Sequence, residues 1–167
     1  MPVSLQVHVR SFTVDQRRFL KLAQAVLELI GESAAEMHVS FVGDRRMRRL
    51  NHQFRHKDRT TDVLAFAYRE ARAPHAFHRV AAPLGDLVVA LPTAQRQAKT
   101  AQRSIEKELA ALLVHGVLHL CGYDHERGWA EALRMQRRER QVLRRLGPVN
   151  RFIRAGRDRS LSTTKEA

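Results

Sequence analysis

Between positions 115 and 125 the chain reads His115-Gly116-Val117-Leu118-His119-Leu120-Cys121-Gly122-Tyr123-Asp124-His125, and no other stretch constrains its folding as strongly. Residues four apart on a helix lie one turn above each other on a single face, so His115 and His119 can aim one nitrogen each at one ion. His125 lies six positions beyond His119 and would point away from the pair if the helix continued. The helix must therefore stop, and the chain must fold back, for a third imidazole to join. Gly122 supplies the stop, because a glycine just past the last turn takes the left-handed conformation without a Cβ penalty. Three neutral imidazoles with an open fourth position make a catalytic zinc site, whereas structural zinc is closed by four protein ligands, often thiolates. The chain has a single cysteine, and Cys121, two positions past His119, reads as a small buried apolar residue. Nine histidines make a chance pair at spacing four ordinary, but not three at this spacing with a glycine between the second and third. The donor type favours one Zn2+ ion over nickel, manganese or iron.

Around that site, 167 residues are enough for one domain with a single core of ordinary size. A net charge of +13 favours a polyanionic partner, since each basic side chain that meets a phosphate releases condensed counterions. A membrane surface is the competing polyanion, yet no apolar run approaches the roughly 20 residues of a transmembrane span, so no membrane partner is expected. The start Met1-Pro2-Val3-Ser4-Leu5 alternates instead of forming a secretory signal, and the lone cysteine fits a reducing, cytoplasmic setting.

Alternation of Val3, Leu5, Val7 and Val9 predicts a half-buried strand, followed by a helix capped by Thr13 with an apolar stripe from Phe19 to Ile30 and a stop at Gly31. Met37, Val39 and Phe41 alternate as a second strand. Asp44 is placed to cap a short Arg-rich helix through about Phe54. Thr61 to Ala67 reads as a third strand, and Leu87 to Leu91 as a fourth after a turn at Pro83-Leu84-Gly85-Asp86, with Pro92 opening the next helix. Arg69 to Ala82, with one proline, Pro74, and no period, reads as a mobile loop. A long helix from about Ser104 to Cys121 carries the histidine pair, and another runs from about Trp129 to Leu146. The expected fold is α+β: a small mixed four-stranded sheet covered by about five helices, with the zinc site at the end of a central helix. Residues 1–150 form the domain, and 151–167, poor in apolar residues, form a basic, flexible tail.

Three further segments, Leu50-Asn51-His52-Gln53-Phe54-Arg55, Thr61-Asp62-Val63-Leu64-Ala65-Phe66 and Leu84-Gly85-Asp86-Leu87-Val88-Val89, precede the histidine motif. In order and spacing they resemble the YbeY family of bacterial rRNA maturation factors, from about Glu36 to Gly147. The resemblance implies a metal-dependent, single-strand-specific endoribonuclease acting in rRNA maturation, at the 3′ end of small-subunit rRNA, and in ribosome quality control. Its partners would be single-stranded RNA, rRNA and the small ribosomal subunit. His115, His119 and His125 match the family's zinc ligands, and Arg55 matches an arginine that functions in the same cleft. A guanidinium there can hold two phosphate oxygens and offset charge building at phosphorus. The family usually shows Pro-Thr-Asp-Val-Leu-Ser-Phe-Pro where this chain has Thr60-Thr61-Asp62-Val63-Leu64-Ala65-Phe66-Ala67. Asp62 and Asp86 can orient ligands or fix turns, and Met135 with Glu139 matches a family Met-and-Glu pattern that a core methionine and a surface carboxylate would equally produce.

Two rival functions share these motifs. Metzincin proteases have the same histidine and glycine spacing but place a glutamate general base directly after the first histidine; here that position is Gly116. The other rival is a ribosome-assembly or RNA-binding factor with a structural or weakly active metal. It would dock through Arg134, Arg137, Arg138, Arg140, Arg144 and Arg145, six arginines within twelve residues.

Overall fold

The fold is built on a mixed sheet of β1 (Val3–Val7), β3 (Glu36–Val42), β5 (Pro83–Ala90) and β4 (Val63–Ala67), in that spatial order. Strands β1, β3 and β5 run parallel and β4 closes one edge antiparallel to β5. The computed structural model describes residues 2–68 and 83–156, so the segment read as a mobile loop, and the chain beyond Gly156, lie outside the described residues. Five helices, α1 (Gln16–Ile30), α2 (Asp44–Arg55), α3 (Leu91–Thr100), α4 (Ile105–Leu120) and α5 (Trp129–Leu146), complete the α+β architecture expected from the sequence. A short pair, β2 (Phe12–Val14) with β6 (Ile153–Ala155), joins the two ends of the chain.

Strand alternation divides the sheet between two unequal cores. Met37, Val39, Phe41, Leu87 and Val89 pack with Phe19, Val26 and Leu27 of α1 and Leu113, Val117 and Leu118 of α4. Their neighbours Val42, Val88, Ala90 and Leu64 face the other way, against Met47 of α2. Because successive side chains point to opposite faces, both clusters follow from one register. Helix α4 is buried along most of its length, and each fully buried leucine contributes about 1.5–3 kcal/mol. That makes α4 the rigid base on which the histidines stand.

Several boundaries differ from the sequence reading, each for a local reason. Helix α1 is capped by Asp15, whose carboxylate accepts from the Arg18 amide at 3.1 Å, while Thr13 belongs to β2. Gly43 occupies the cap of α2, and the Asp44 carboxylate instead accepts from Thr93 Oγ1 and Arg96, both at 2.7 Å, tying α2 to α3. The segment read as a turn at 83–86 is the first half of β5, and Leu91 opens α3. Gly85 is needed there for close approach: a Cβ would stand 2.2 Å from the Phe66 carbonyl oxygen, at a φ of +151°. The expected tail also starts too early, since Phe152 and Ile153 are buried. The carboxylate of Glu106, itself buried, accepts from both their amides at 3.3 and 3.4 Å, and the Asp15 amide donates to the Phe152 carbonyl at 2.7 Å.

Candidate metal centre

The last two turns of α4 carry His115 and His119, and the way α4 ends brings His125 back to them. Gly122 sits at φ +96°, its amide donates to the His119 carbonyl at 3.0 Å, and the Tyr123 amide donates to Leu118 at 3.0 Å. This is the paired C-terminal hydrogen bonding that a left-handed glycine permits. Asp124 then caps a single 3-10 turn, His125–Arg127, by accepting from the Glu126 amide at 2.9 Å. That hydrogen bond, helped by Arg127, holds the Asp124 carboxyl below its ordinary range.

The three imidazoles converge. His119 Nε2 lies 3.1 Å from His115 Nε2 and 3.1 Å from His125 Nδ1, and one ligand atom from each ring falls within 4.8 Å of the others. Nitrogens held about 2.0–2.1 Å from a tetrahedral zinc stand roughly 3.3 Å apart, so the two 3.1 Å separations about His119 fit such an ion. The donor chemistry fits as well. His115 Nδ1 faces the Glu139 carboxylate at 2.5 Å, which places the ring proton on Nδ1 and leaves the Nε2 lone pair directed at the cluster. His119 turns its Nε2 toward both other rings, so the tautomer with its proton on Nδ1 would present a lone pair to the cluster. Burial, first, and then the neighbouring His115 and His125 hold the His119 pKa below its ordinary value. In that tautomer two lone pairs would face each other at 3.1 Å and repel unless a cation lay between them.

Opposite the histidines stands the C-terminal end of α2. His56 caps it in the left-handed conformation, φ 56°, and turns the chain so that Arg55, Lys57 and Arg59 line the same cleft as the imidazoles, a hollow of about 550 Å³. The Asn51 side chain, buried, donates to the Arg59 carbonyl at 2.8 Å and holds this turn in place. Arg48, Arg96 and Arg103 are each paired with a carboxylate, but among the described residues no carboxylate pairs with Arg55. A cluster of imidazole donors thus faces an open cationic wall, the arrangement needed to hold an anion beside a metal.

A family model described as endoribonuclease YbeY matches residues 5–147. The chain belongs to the YbeY endoribonuclease family. The endoribonuclease YbeY of Anaeromyxobacter sp. (strain Fw109-5) is 43% identical over 140 residues, spanning 84% of this chain and 69% of the relative. That of Geobacter metallireducens is 38% identical over 144 residues, spanning 85% and 93%. A solution structure of a Thermotoga maritima protein covers 86% of this chain and 88% of its own, with a TM-score of 0.60 at 24% identity, a likeness of fold.

Within this YbeY-family chain, the residues singled out from sequence separate by position. The three histidines and Arg55 share one cleft. Asp62 also lines it, but its carboxylate accepts from the Val63 amide at 2.7 Å and from Gln97 at 3.1 Å, fixing the entry to β4. Asp86 lies in a different hollow and accepts from the Tyr68 hydroxyl. Glu139 is the carboxylate that meets His115 Nδ1, and Met135 is core. Cys121 is half-buried and lines the cleft, packing against the main core. Lys57, Arg59 and Asn51 escaped the sequence reading, because nothing in a short polar stretch says which way a turn will face. The arginines of α5 divide too: Arg138 donates to the Leu29 carbonyl at 3.2 Å and Arg134 stacks over Tyr123, while Arg137, Arg140, Arg144 and Arg145 are exposed. At Gly116 a Cβ would stand 2.7 Å from Leu87 Cδ2, a fully buried side chain. The protease glutamate has no room at that position. Among the described residues no helix is long and apolar enough to cross a membrane.

Proposed function

We propose that this chain is a zinc-dependent endoribonuclease that cuts single-stranded RNA, acting in the cytoplasm on rRNA of the small ribosomal subunit in 3′-end maturation and quality control. The observation that carries the reading is the cleft itself, lined by three converging imidazoles and by Arg55, with which no carboxylate among the described residues pairs. His115, His119 and His125 would hold the ion, and three neutral nitrogen donors favour zinc. Bound there, zinc supplies Lewis acidity and lowers the pKa of water toward neutrality. Arg55 binds the scissile phosphate through two of its N–H groups and offsets charge growing on the phosphoryl oxygens. Lys57 and Arg59 extend the positive wall along the strand, so the backbone is held in register while the bases stay unread. Glu139 keeps the proton of His115 on Nδ1 and so keeps the ring aimed. The net charge of +13 supplies long-range attraction to the polyanion.

The test uses a labelled RNA with one single-stranded and one duplex arm, incubated with the full chain with and without chelator, then with zinc restored. We expect chelator-sensitive cutting confined to the single-stranded arm and recovered with zinc. Uncut RNA that is still bound would replace this reading by the assembly-factor one. Product ends carrying a cyclic 2′,3′-phosphate would show the ribose hydroxyl, not water, to be the attacking group.

A further inference from the structure

Trp129 is the most solvent-exposed large apolar side chain among the described residues, at 81%, and its setting is specific. Gly128, at φ +140°, separates it from the 3-10 turn that carries His125 and makes it the first residue of α5. From there it lines a hollow of about 330 Å³ whose other walls include His115, His125, Gln136 and Glu139. The hollow therefore shares two imidazoles, His115 and His125, with the main cleft that Arg55 lines. Its size lies at the low end of pockets that hold small planar ligands, about 300–1,000 Å³.

Packing does not explain a tryptophan here. Exposing an indole forgoes the large burial that aromatic residues normally contribute, and the first turn of a helix gains nothing from an aromatic ring. Nor does Trp129 pack against another ring, unlike the exposed Phe54, which meets Phe66 edge-to-face at 5.1 Å. An exposed, flat π surface beside a cleft lined by Arg55, Lys57 and Arg59 is the arrangement by which proteins hold unpaired bases, since every base has a face to stack and a duplex does not offer it. Gln136, seven positions on and so on the same face of α5, lines the same hollow and carries an amide able to hydrogen-bond a base edge.

The geometry points to Trp129 as a base-stacking platform that takes a nucleobase flanking the scissile phosphate, with the strand running from the Arg55 wall, past the imidazoles, to α5. This rests on the endoribonuclease reading and adds a source for single-strand selectivity: a base stacked on Trp129 must have left its duplex. Trp129 would be a substrate-positioning residue with no part in holding the metal.

The chain has one tryptophan, so its intrinsic fluorescence reports on this position alone. Zinc-loaded full-length protein is mixed in a stopped-flow instrument with a 3′-labelled single-stranded oligoribonucleotide, and tryptophan emission, label anisotropy and cleavage are followed together. We expect emission to be quenched in step with the rise in anisotropy and ahead of cleavage, with no quenching by a blunt duplex. Trp129→Ala should weaken single-strand binding by roughly five- to hundredfold, at unchanged zinc content. Trp129→Phe should restore most of that affinity, and the Ala variant should lose preference for single strands. RNA that binds and is cut without quenching, or with unchanged affinity in Trp129→Ala, would overturn the platform and leave the nuclease reading standing. An emission change that depends on protein concentration alone would assign Trp129 to contact between copies of the chain. Absence of both binding and cutting would sink the two readings together.

Discussion

Two helices end at the cleft, and both end in a left-handed residue, yet the ends are opposite in character. At the end of α4 the turn is made by Gly122, His115 and His119 are half-buried while His125 is exposed, and His115 is held by the carboxylate of Glu139 on α5. At the end of α2 the turn is made by His56, and Arg55, Lys57 and Arg59 project from it exposed. A metal needs donors fixed to fractions of an ångström, so its side is built on the most buried helix and locked from behind. On the proposed reading, a phosphate on a moving strand needs charge that can adjust, and the side that would meet it is a solvated turn anchored by one buried asparagine, Asn51.

The contrast can be tested by loosening each side in turn. Arg55→Ala should lower kcat by about 10²–10³-fold, as removal of one group that stabilises transition-state charge does elsewhere, with zinc content unchanged. Arg55→Lys should recover only part, because an ammonium cannot hold two oxygens in one plane. Next in size, Glu139→Gln should weaken zinc affinity by about 10–100-fold, measured by competition with a chelating dye, while RNA affinity holds. A smaller effect concerns pH. His119 is held below its ordinary value, near 6.5, by burial and by its two neighbours. Above about pH 6.5 neither the folded nor the unfolded chain protonates it, and nothing is lost. As pH falls below that, the unfolded chain takes up a proton that the folded ring resists, so stability declines until pH passes below the folded value. Melting of zinc-free protein should therefore move to lower temperature from pH 7.5 to 5.5, and less so in His119→Gln. Smallest, His56→Gly should change unfolding free energy by no more than about 1 kcal/mol, since relief of left-handed strain is offset by a looser unfolded chain. A loss of several kcal/mol by denaturant titration would show that the α2 end is as tightly built as the α4 end.

How legible each side was in the sequence follows from the same contrast. The imidazole pair and its glycine are local, four and three residues apart, and helix geometry alone predicts their convergence. Glu139 is 24 residues from His115 and meets it only because α5 packs on α4. No spacing rule reaches that far. Lys57 and Arg59 look like any polar turn until Asn51 fixes the direction in which the turn points. In the fold, long alternating or amphipathic stretches such as Met37–Phe41 and α1 were plain. The three-residue strands β2 and β6 were not, being too short to show a period and held by Glu106 from a distant helix. Pro83 and Gly85 pointed to a turn because the same residues serve turns and close backbone approach, and only the contact with Phe66 separates the two.

The most direct measurement is zinc stoichiometry and single-strand cleavage on one sample of His119→Ala, with RNA affinity and thermal stability recorded beside the unmodified chain. We expect zinc well below one per chain, no cleavage above background, and RNA affinity within a few-fold of normal. A variant that folds, lacks zinc and still cuts single-stranded RNA at the normal rate would contradict a catalytic role for the histidine cluster.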